Sequence, residues 1–391
     1  MNNFRRVLIC DVNIKKQGHY IGFDQYLINN FSSVEKQNPS VHISFLFNHE
    51  AEKLLQFDNL SKERVSFIDL FKEKRAVEKY LIIRKIKKFA EANHIDHMLF
   101  MDLDQYQMPL FLVKLKFSIS GILFRPHHRI TASNNRLSTR VMSQLKRLKK
   151  RIAEKMMTTK KATRNIFILN DQEGVNILNR IHHSTLFKYL PDPVFSYTNF
   201  ESCTHLPEKN HGVYRYLIFG SINERKNIFN IIQAYDNASL PFDSELLIVG
   251  PAAAEYIGYL KNGISGLVSI DDHHKKIWIK SEFVTNEEMD HFFSICDVCL
   301  LIYKDFFGSS GLLGRAALHR LKVIGPSTGL LHELISNYKM GITSDPANIH
   351  KIARSMENIV HFKINMSGLE NFYAQRSPEK FLATLADIII S

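Results

Sequence analysis

Cysteine is scarce in this chain: four residues in 391, with a single tryptophan. So few thiols cannot make the disulfide framework of a small secreted domain. Two of them form Cys296-x-x-Cys299. A redox pair of that spacing sits at a helix N-terminus, where the thiol pKa is lowered. Here the motif runs into an apolar strand pattern, so two buried thiols are expected. No apolar run reaches the length of a membrane-spanning helix. The stretch Arg5-Arg6-Val7-Leu8-Ile9-Cys10-Asp11 meets charge too soon for a secretory signal, which makes a cytoplasmic location the expectation. Neither GxGxxG nor GxxxxGK[ST] occurs, so the dinucleotide fingerprint and the Walker A loop are both missing. Eighteen histidines include the pairs His127-His128, His182-His183 and His273-His274. None has metalloprotease or zinc-finger spacing, so no metal and no resident cofactor is expected.

Acid is what one region lacks. The chain carries 51 Lys and Arg against 39 Asp and Glu, a formal charge of +12. Residues 136–164 hold Arg136, Arg140, Lys146, Arg147, Lys149, Lys150, Arg151, Lys155, Lys160, Lys161 and Arg164 against Glu154 alone. Within them Leu137, Val141, Leu145, Leu148, Ile152 and Met156 recur at helical spacing, after plausible caps at Ser133 to Asn135. This is a basic amphipathic helix. Its apolar stripe fits burial in the first domain, and its basic face fits an anionic membrane. No aromatic residues interleave the cations as in nucleic-acid binders, so no nucleic-acid partner is expected.

Elsewhere short apolar runs alternate with helical patterns. Val7–Cys10, His42–Phe47, Val65–Ile68, Met98–Met101, Ile119–Phe124 and Ile166–Leu169 read as buried parallel strands. Helical segments 23–32, 75–93, 107–116, 135–157 and 171–180 lie between and after them. A polar stretch, 199–212, follows Leu190-Pro191-Asp192-Pro193-Val194 and reads as a linker. The alternation then restarts with strands at Tyr214–Phe219, Glu245–Val249, Ile277–Ile279, Val298–Ile302 and Lys322–Ile324. Helices are expected at 227–237, 252–262, 286–294, 310–319, 330–337 and 347–360. The pattern predicts two doubly wound α/β domains, 1–198 and 213–365. A final segment, 366–391, is expected to pack back toward the first domain through a helix that starts at Pro378.

Ligands of open parallel sheets bind at the strands' carboxyl ends. Three turns there carry chemistry. Gly220-Ser221 to Arg225-Lys226 follows a strand and sets two cations at a helix start. Cations are disfavoured there, unless an anion is bound nearby; solvated cations are the plainer alternative. Ser309-Ser310-Gly311-Leu312 opens a short helix whose free backbone N–H groups suit phosphate. Gly18-His19 resembles these in form. Arg125-Pro126-His127-His128-Arg129 follows the strand ending at Phe124, where His127 or His128 could meet a sugar hydroxyl or relay a proton. Asp102 and Asp104, just past a strand, could face an acceptor but read rather as caps of the next helix.

In order, these segments resemble the donor domain of GT-B glycosyltransferases, especially the retaining family 4 (glycosyl transferases group 1). The resemblance runs through Phe219-Gly220-Ser221 to Arg225-Lys226, then Leu246-Leu247-Ile248-Val249-Gly250. It continues through Phe283-Val284 to Asp297-Val298, and Ser309-Ser310-Gly311 to Val323-Ile324-Gly325. It covers roughly residues 214–345, and the first half matches in architecture and in the Gly18 turn. It implies two Rossmann-like domains facing across a cleft. It also implies a nucleotide-sugar donor on Gly220, Ser221, Arg225, Lys226, Val284, Asp305, Ser309, Ser310, Gly311, Leu312 and Arg315. A glycan or lipid-linked acceptor would lie near Gly18, His19, Arg125 and His127. His127, Arg225 and Lys226 would be the catalytic groups of a metal-independent hexosyl transfer in cell-surface polysaccharide synthesis. One departure stands out. The family has two glutamates eight positions apart around the phosphate helix, and here Phe307 and Arg315 occupy those positions, with Asp305 the nearest acid. That leaves open a non-catalytic binding protein of the same fold.

Overall fold

The computed structural model describes residues 4–14, 20–69, 76–130, 137–197, 206–210, 212–265 and 274–390. Gly18, His19, the caps proposed at Ser133 to Asn135 and much of the 199–212 linker lie outside them.

The chain forms two compact units, Met1–Pro193 with Pro378–Ser391, and Val194–Ser377. In the first, chain order runs β1 (Arg5–Asp11), α1 (Tyr20–Gln37), β2 (Val41–Asn48), α2 (Ala51–Leu54), α3 (Asn59–Lys62), β3 (Val65–Ile68), α4 (Ala76–Ala92) and β4 (His97–Phe100). It continues through α5 (Gln107–Leu112), β5 (Ser118–Leu123), a 3-10 turn (His127–Arg129), α6 (Leu137–Thr159), β6 (Thr163–Leu169), α7 (Gln172–His182) and β7 (Phe187–Leu190). The sheet order is β3-β2-β1-β4-β5-β6-β7, parallel throughout. Val7, Leu8, Ile9 and Cys10 of β1 are sealed from solvent, as a strand covered by helices on both faces must be. Strand β7 is absent from the sequence reading. It alternates buried and exposed residues at the sheet edge, and its Pro-rich sequel masks so short a run.

The second unit repeats the plan with β8 (Tyr214–Phe219), a 3-10 turn (Glu224–Lys226), α8 (Ile228–Asn237), β9 (Ser244–Val249), α9 (Ala254–Ser265), β10 (Lys275–Lys280) and α10 (Asn286–Ile295). Then come β11 (Val298–Leu300), α11 (Gly311–Leu318), β12 (Lys322–Pro326), α12 (Gly329–Asn337), β13 (Gly341–Ser344), α13 (Ile349–Ile359) and α14 (Met366–Ala374). The sheet is again wholly parallel, in the order β10-β9-β8-β11-β12-β13. Two apolar clusters cover its faces, one around Leu217, Phe293 and Leu313, the other around Ile218, Ile231 and Met356.

The unit boundaries differ from the sequence reading at both ends. Segment 194–197 belongs with the second unit, because Tyr197 N donates to Asp290 and Val194 N donates to the Arg376 carbonyl. Helix α14 also belongs there, since Leu369 and Phe372 enter that core. Only α15 (Pro378–Ile390) is part of the first unit, where Phe381 packs on Phe23 of α1 with ring centroids 5.1 Å apart.

Candidate functional site

Both sheets reverse their strand order at one point, between β1 and β4 and between β8 and β11. A crevice at the carboxyl ends of those strands is where doubly wound folds take ligands.

In the second unit, β8 runs into Gly220, whose φ is +94°. Gly250, at φ +140°, crosses so close that a Cβ on it would lie 2.4 Å from the Gly220 carbonyl oxygen. Only glycine tolerates both conditions. A Cβ on Gly220 would touch Lys226 Nζ and Leu312 Cδ1, at 3.4 and 3.9 Å. The start of α11 therefore meets the 3-10 turn here. Lys226 is buried; its ammonium donates to the Phe219 carbonyl at 2.5 Å and to Tyr303 Oη at 3.0 Å. Burial pushes its pKa down to about 7, Cys299 opposes that, and Arg225 adds to it. A buried cation so weakened is poised to gain from an arriving anion. Arg225 is exposed, with its guanidinium 5.3 Å from the Phe306 ring centroid. Tyr303, which follows β11, is hydrogen-bonded to Ser310 and packs edge-on against Phe306. Ser310 is the N-cap of α11 at φ +58° and makes no side-chain cap bond, which leaves the helix end for another acceptor. Tyr303 was not singled out in the sequence; its signal is a polar aromatic closing an apolar strand run.

The remaining donor-site expectations divide. Ser221 flanks Gly220, Ser309 is buried before Ser310, and Asp305 stands exposed in a left-handed turn at φ +51°. Val284 is buried in the same apolar cluster as Phe219 and Leu313. Arg315 differs from expectation. It is 8% exposed, donates to Asp290 at 2.8 Å and to the Phe195 carbonyl, and lies over Tyr197. Its guanidinium clamps segment 194–197 onto the unit. Cys296 and Cys299 are buried free thiols, with pKa values raised by burial.

In the first unit the expected residues also separate. Arg125 is exposed, and its carbonyl accepts from Lys150. His127 is buried: Nδ1 is hydrogen-bonded to Glu154 Oε2, its backbone N–H donates to Oε1 at 2.8 Å, and His182 Nε2 is hydrogen-bonded to Oε2 at 3.1 Å. His128 and Arg129 turn away to Asp171, with Arg129 donating at 2.6 and 2.8 Å. Burial opposes ionisation of Asp171, yet those partners hold its pKa far below the usual range. Asp102 and Asp104 do not cap α5. Asp102 accepts from the Asp104 N–H, and Asp104 accepts from Phe124 N and Lys150 Nζ. At the switch point itself Asp11, Asp24 and Asp102 are buried together, a cluster that sequence reasoning missed.

Helix α6 corrects a further expectation. Its buried face is Ala153, Glu154 and Met157, whereas Val141, Met142, Leu145, Leu148 and Ile152 are 47–66% exposed. The apolar stripe thus points to solvent. Met108, Phe111 and Leu112 of α5, which packs against α6, are exposed as well. Lys146, Arg147, Lys149 and Arg151 are exposed around the stripe, while Lys150 is engaged by Asp104. Among the described residues no helix is long and apolar enough to cross a membrane.

No protein-family model and no curated protein matches this chain. Solved structures do match it over nearly its full length. A sucrose-phosphate synthase from Thermosynechococcus elongatus superimposes with a TM-score of 0.68 at 12% identity, covering 98% of each chain. WaaG, a glycosyltransferase involved in lipopolysaccharide biosynthesis, gives 0.65 at 12%, over 98% of this chain and 99% of that one. HepE from Anabaena, solved with UDP and glucose, gives 0.63 at 12% over 98% of each. At such identities the likeness shows the fold, and the chain has the GT-B glycosyltransferase fold.

Proposed function

We propose that the protein is a glycosyltransferase that moves a hexosyl group from a nucleotide-activated donor to a lipid-linked or glycan acceptor in cell-surface polysaccharide synthesis. One observation carries this reading: the meeting of Gly220, Arg225, Lys226, Tyr303, Ser310 and Leu312 at the second unit's switch point. Arg225 and Lys226 would take the charge of the departing diphosphate, aided by the backbone N–H groups from Ser309 to Leu312. Cations and a helix end then supply the stabilisation that a metal supplies elsewhere, so the reaction is read as metal-independent. Val284 would border the base. His127 and Arg125 would serve the acceptor side, and the family resemblance favours retention of anomeric configuration. UDP and glucose bound to HepE make a uridine nucleotide sugar the first donor to try. The test is a thermal-shift screen of nucleoside diphosphates and nucleotide sugars. A ligand at a hundredfold its Kd adds about 2.7 kcal/mol of stability. No shift with any nucleotide would overturn the donor site.

The acceptor would be presented at an anionic membrane, on whose cytoplasmic face the protein would sit peripherally. Exposed Met142, Leu145 and Leu148 beside Lys146, Arg147 and Lys149 support this. Each surface Lys or Arg contributes about 1 kcal/mol and is screened by salt, whereas buried apolar area is not. Binding to anionic vesicles should therefore weaken in high salt without vanishing, and replacing those three apolar residues with Gln should remove the salt-resistant part. A wild type that ignores anionic vesicles at low salt would sink the membrane reading. A second reading, a non-catalytic binder, rests on Arg315, bonded to Asp290 where the family carries a glutamate. It predicts nucleotide binding with no sugar released from any donor.

A further inference from the structure

His127 belongs to a buried network whose bonds decide which of its nitrogens carries the proton. Glu154 enters from α6 and His182 from the end of α7, and both side chains are sealed from solvent, at 1% and 2% exposure. The Glu154 carboxylate faces three nitrogens: the His127 backbone N–H, His127 Nδ1 and His182 Nε2. Burial would raise its pKa, but these hydrogen bonds hold it below the usual range. An ionised carboxylate can only accept. Both imidazoles must therefore turn an N–H toward it, which makes the neutral His127 ring the Nδ1–H tautomer, with a bare lone pair on Nε2.

The other charged groups nearby are already engaged. Lys155 Nζ donates to the His182 carbonyl, His128 and Arg129 are bound to Asp171, and Lys150 is bound to Asp104. The three ligand-type atoms of the network lie within 4.8 Å of one another, a grouping a metal ion could also use. The carboxylate is already satisfied by three donors, however, so the arrangement is complete without one. Solvent-sealed side-chain atoms without a partner include His128 Nδ1 and His97 Nε2 but not His127 Nε2. No described residue bonds that nitrogen, on a side chain 2% exposed in the turn that follows β5.

We propose that Glu154, braced by His182, is a positioning residue that fixes His127 as the Nδ1–H tautomer, so that His127 Nε2 accepts a hydrogen bond from a hydroxyl of the sugar or acceptor. The tautomer follows from the network alone; the role toward a hydroxyl rests on the glycosyltransferase reading. The two parts are separated by experiment. In 15N-labelled full-length protein at pH 8, His127 should show a protonated Nδ1 and a bare Nε2. Glu154→Gln should reverse this: its oxygen keeps the backbone N–H of His127, and its amide donates to Nδ1, driving the proton to Nε2. A reversed or mixed tautomer in the wild type overturns the proposal, as does a stoichiometric metal ion bound by these side chains. For the role, turnover is read as UDP release from UDP-glucose with water as acceptor. Glu154→Gln and His127→Ala should each lower it tenfold or more while leaving UDP affinity within twofold, and Glu154→Asp should recover part of the loss. Wild-type turnover in Glu154→Gln with a reversed tautomer would overturn the role. A wild type that neither binds UDP nor releases it would instead fail the glycosyltransferase reading, with the tautomer result standing.

Discussion

The two units share a strand order, yet their switch points carry opposite charge. In the second, β8 and β11 deliver the chain to Arg225, Lys226 and Tyr303. In the first, β1 and β4 deliver it to Asp11 and Asp102, and α1 adds Asp24. Burial raises the pKa of Asp11 and Asp24, and the charge of Asp11 raises that of Asp24 further. A phosphate would be repelled there and welcomed opposite Lys226. Topology thus decides where a ligand can sit, and side chains decide which ligand.

The largest expected effect is at the cationic point. Lys226→Ala removes a buried charge partner of the diphosphate, a loss of about 2–5 kcal/mol, so calorimetry should show nucleoside diphosphate affinity falling by about thirtyfold or more. Arg225 is exposed, and its charge-assisted hydrogen bonds are worth about 1.5–3 kcal/mol; Arg225→Ala should weaken affinity by about tenfold. Unchanged affinity in both variants would erase the contrast between the units.

The acidic point should show itself in stability. The folded-state pKa values of Asp11 and Asp24 lie above their unfolded values. The native state then binds more protons between about pH 4, the ordinary carboxylate range, and neutrality. Stability from this pair is present at the acid side of that window and is lost as pH rises through it. Asp24→Asn should flatten that slope and raise the melting temperature at pH 8, by about 2–4 °C for each kcal/mol recovered. A slope that survives the substitution would detach it from the pair.

The smallest effect is a proton. Lys226, held at about pKa 7 when unliganded, should regain its proton on meeting a diphosphate. Binding above pH 7 should take up to one proton from the buffer, and affinity should decline as pH rises further. Binding enthalpies independent of the buffer's ionisation heat at pH 8 would contradict the buried-lysine picture.

Much of this was legible because buried parallel strands write themselves as continuous apolar runs. Val7–Cys10 and Leu246–Val249 needed no partner to be recognised. Gly220 with Arg225-Lys226 and Ser309-Ser310-Gly311 were visible because a turn and a helix start are local. The failures were at places where an element's neighbours matter. β7 and β13 are too short to stand out, β7 being alternating besides, and the apolar face of 366–374 does not say which core it joins.

The sequence by itself determined two α/β units, most of their strand positions and the cationic turn, since periodicity and turn chemistry act over a few residues. Only the tertiary structure decided partnership. It turned the α6 stripe outward while Glu154 went in, and it bound Arg315 to Asp290, 25 positions away. It also gathered Asp11, Asp24 and Asp102 at one point. Each of these depends on which groups share a low-dielectric space, and burial, charge and hydrogen bonding take their values only once distant segments are packed together.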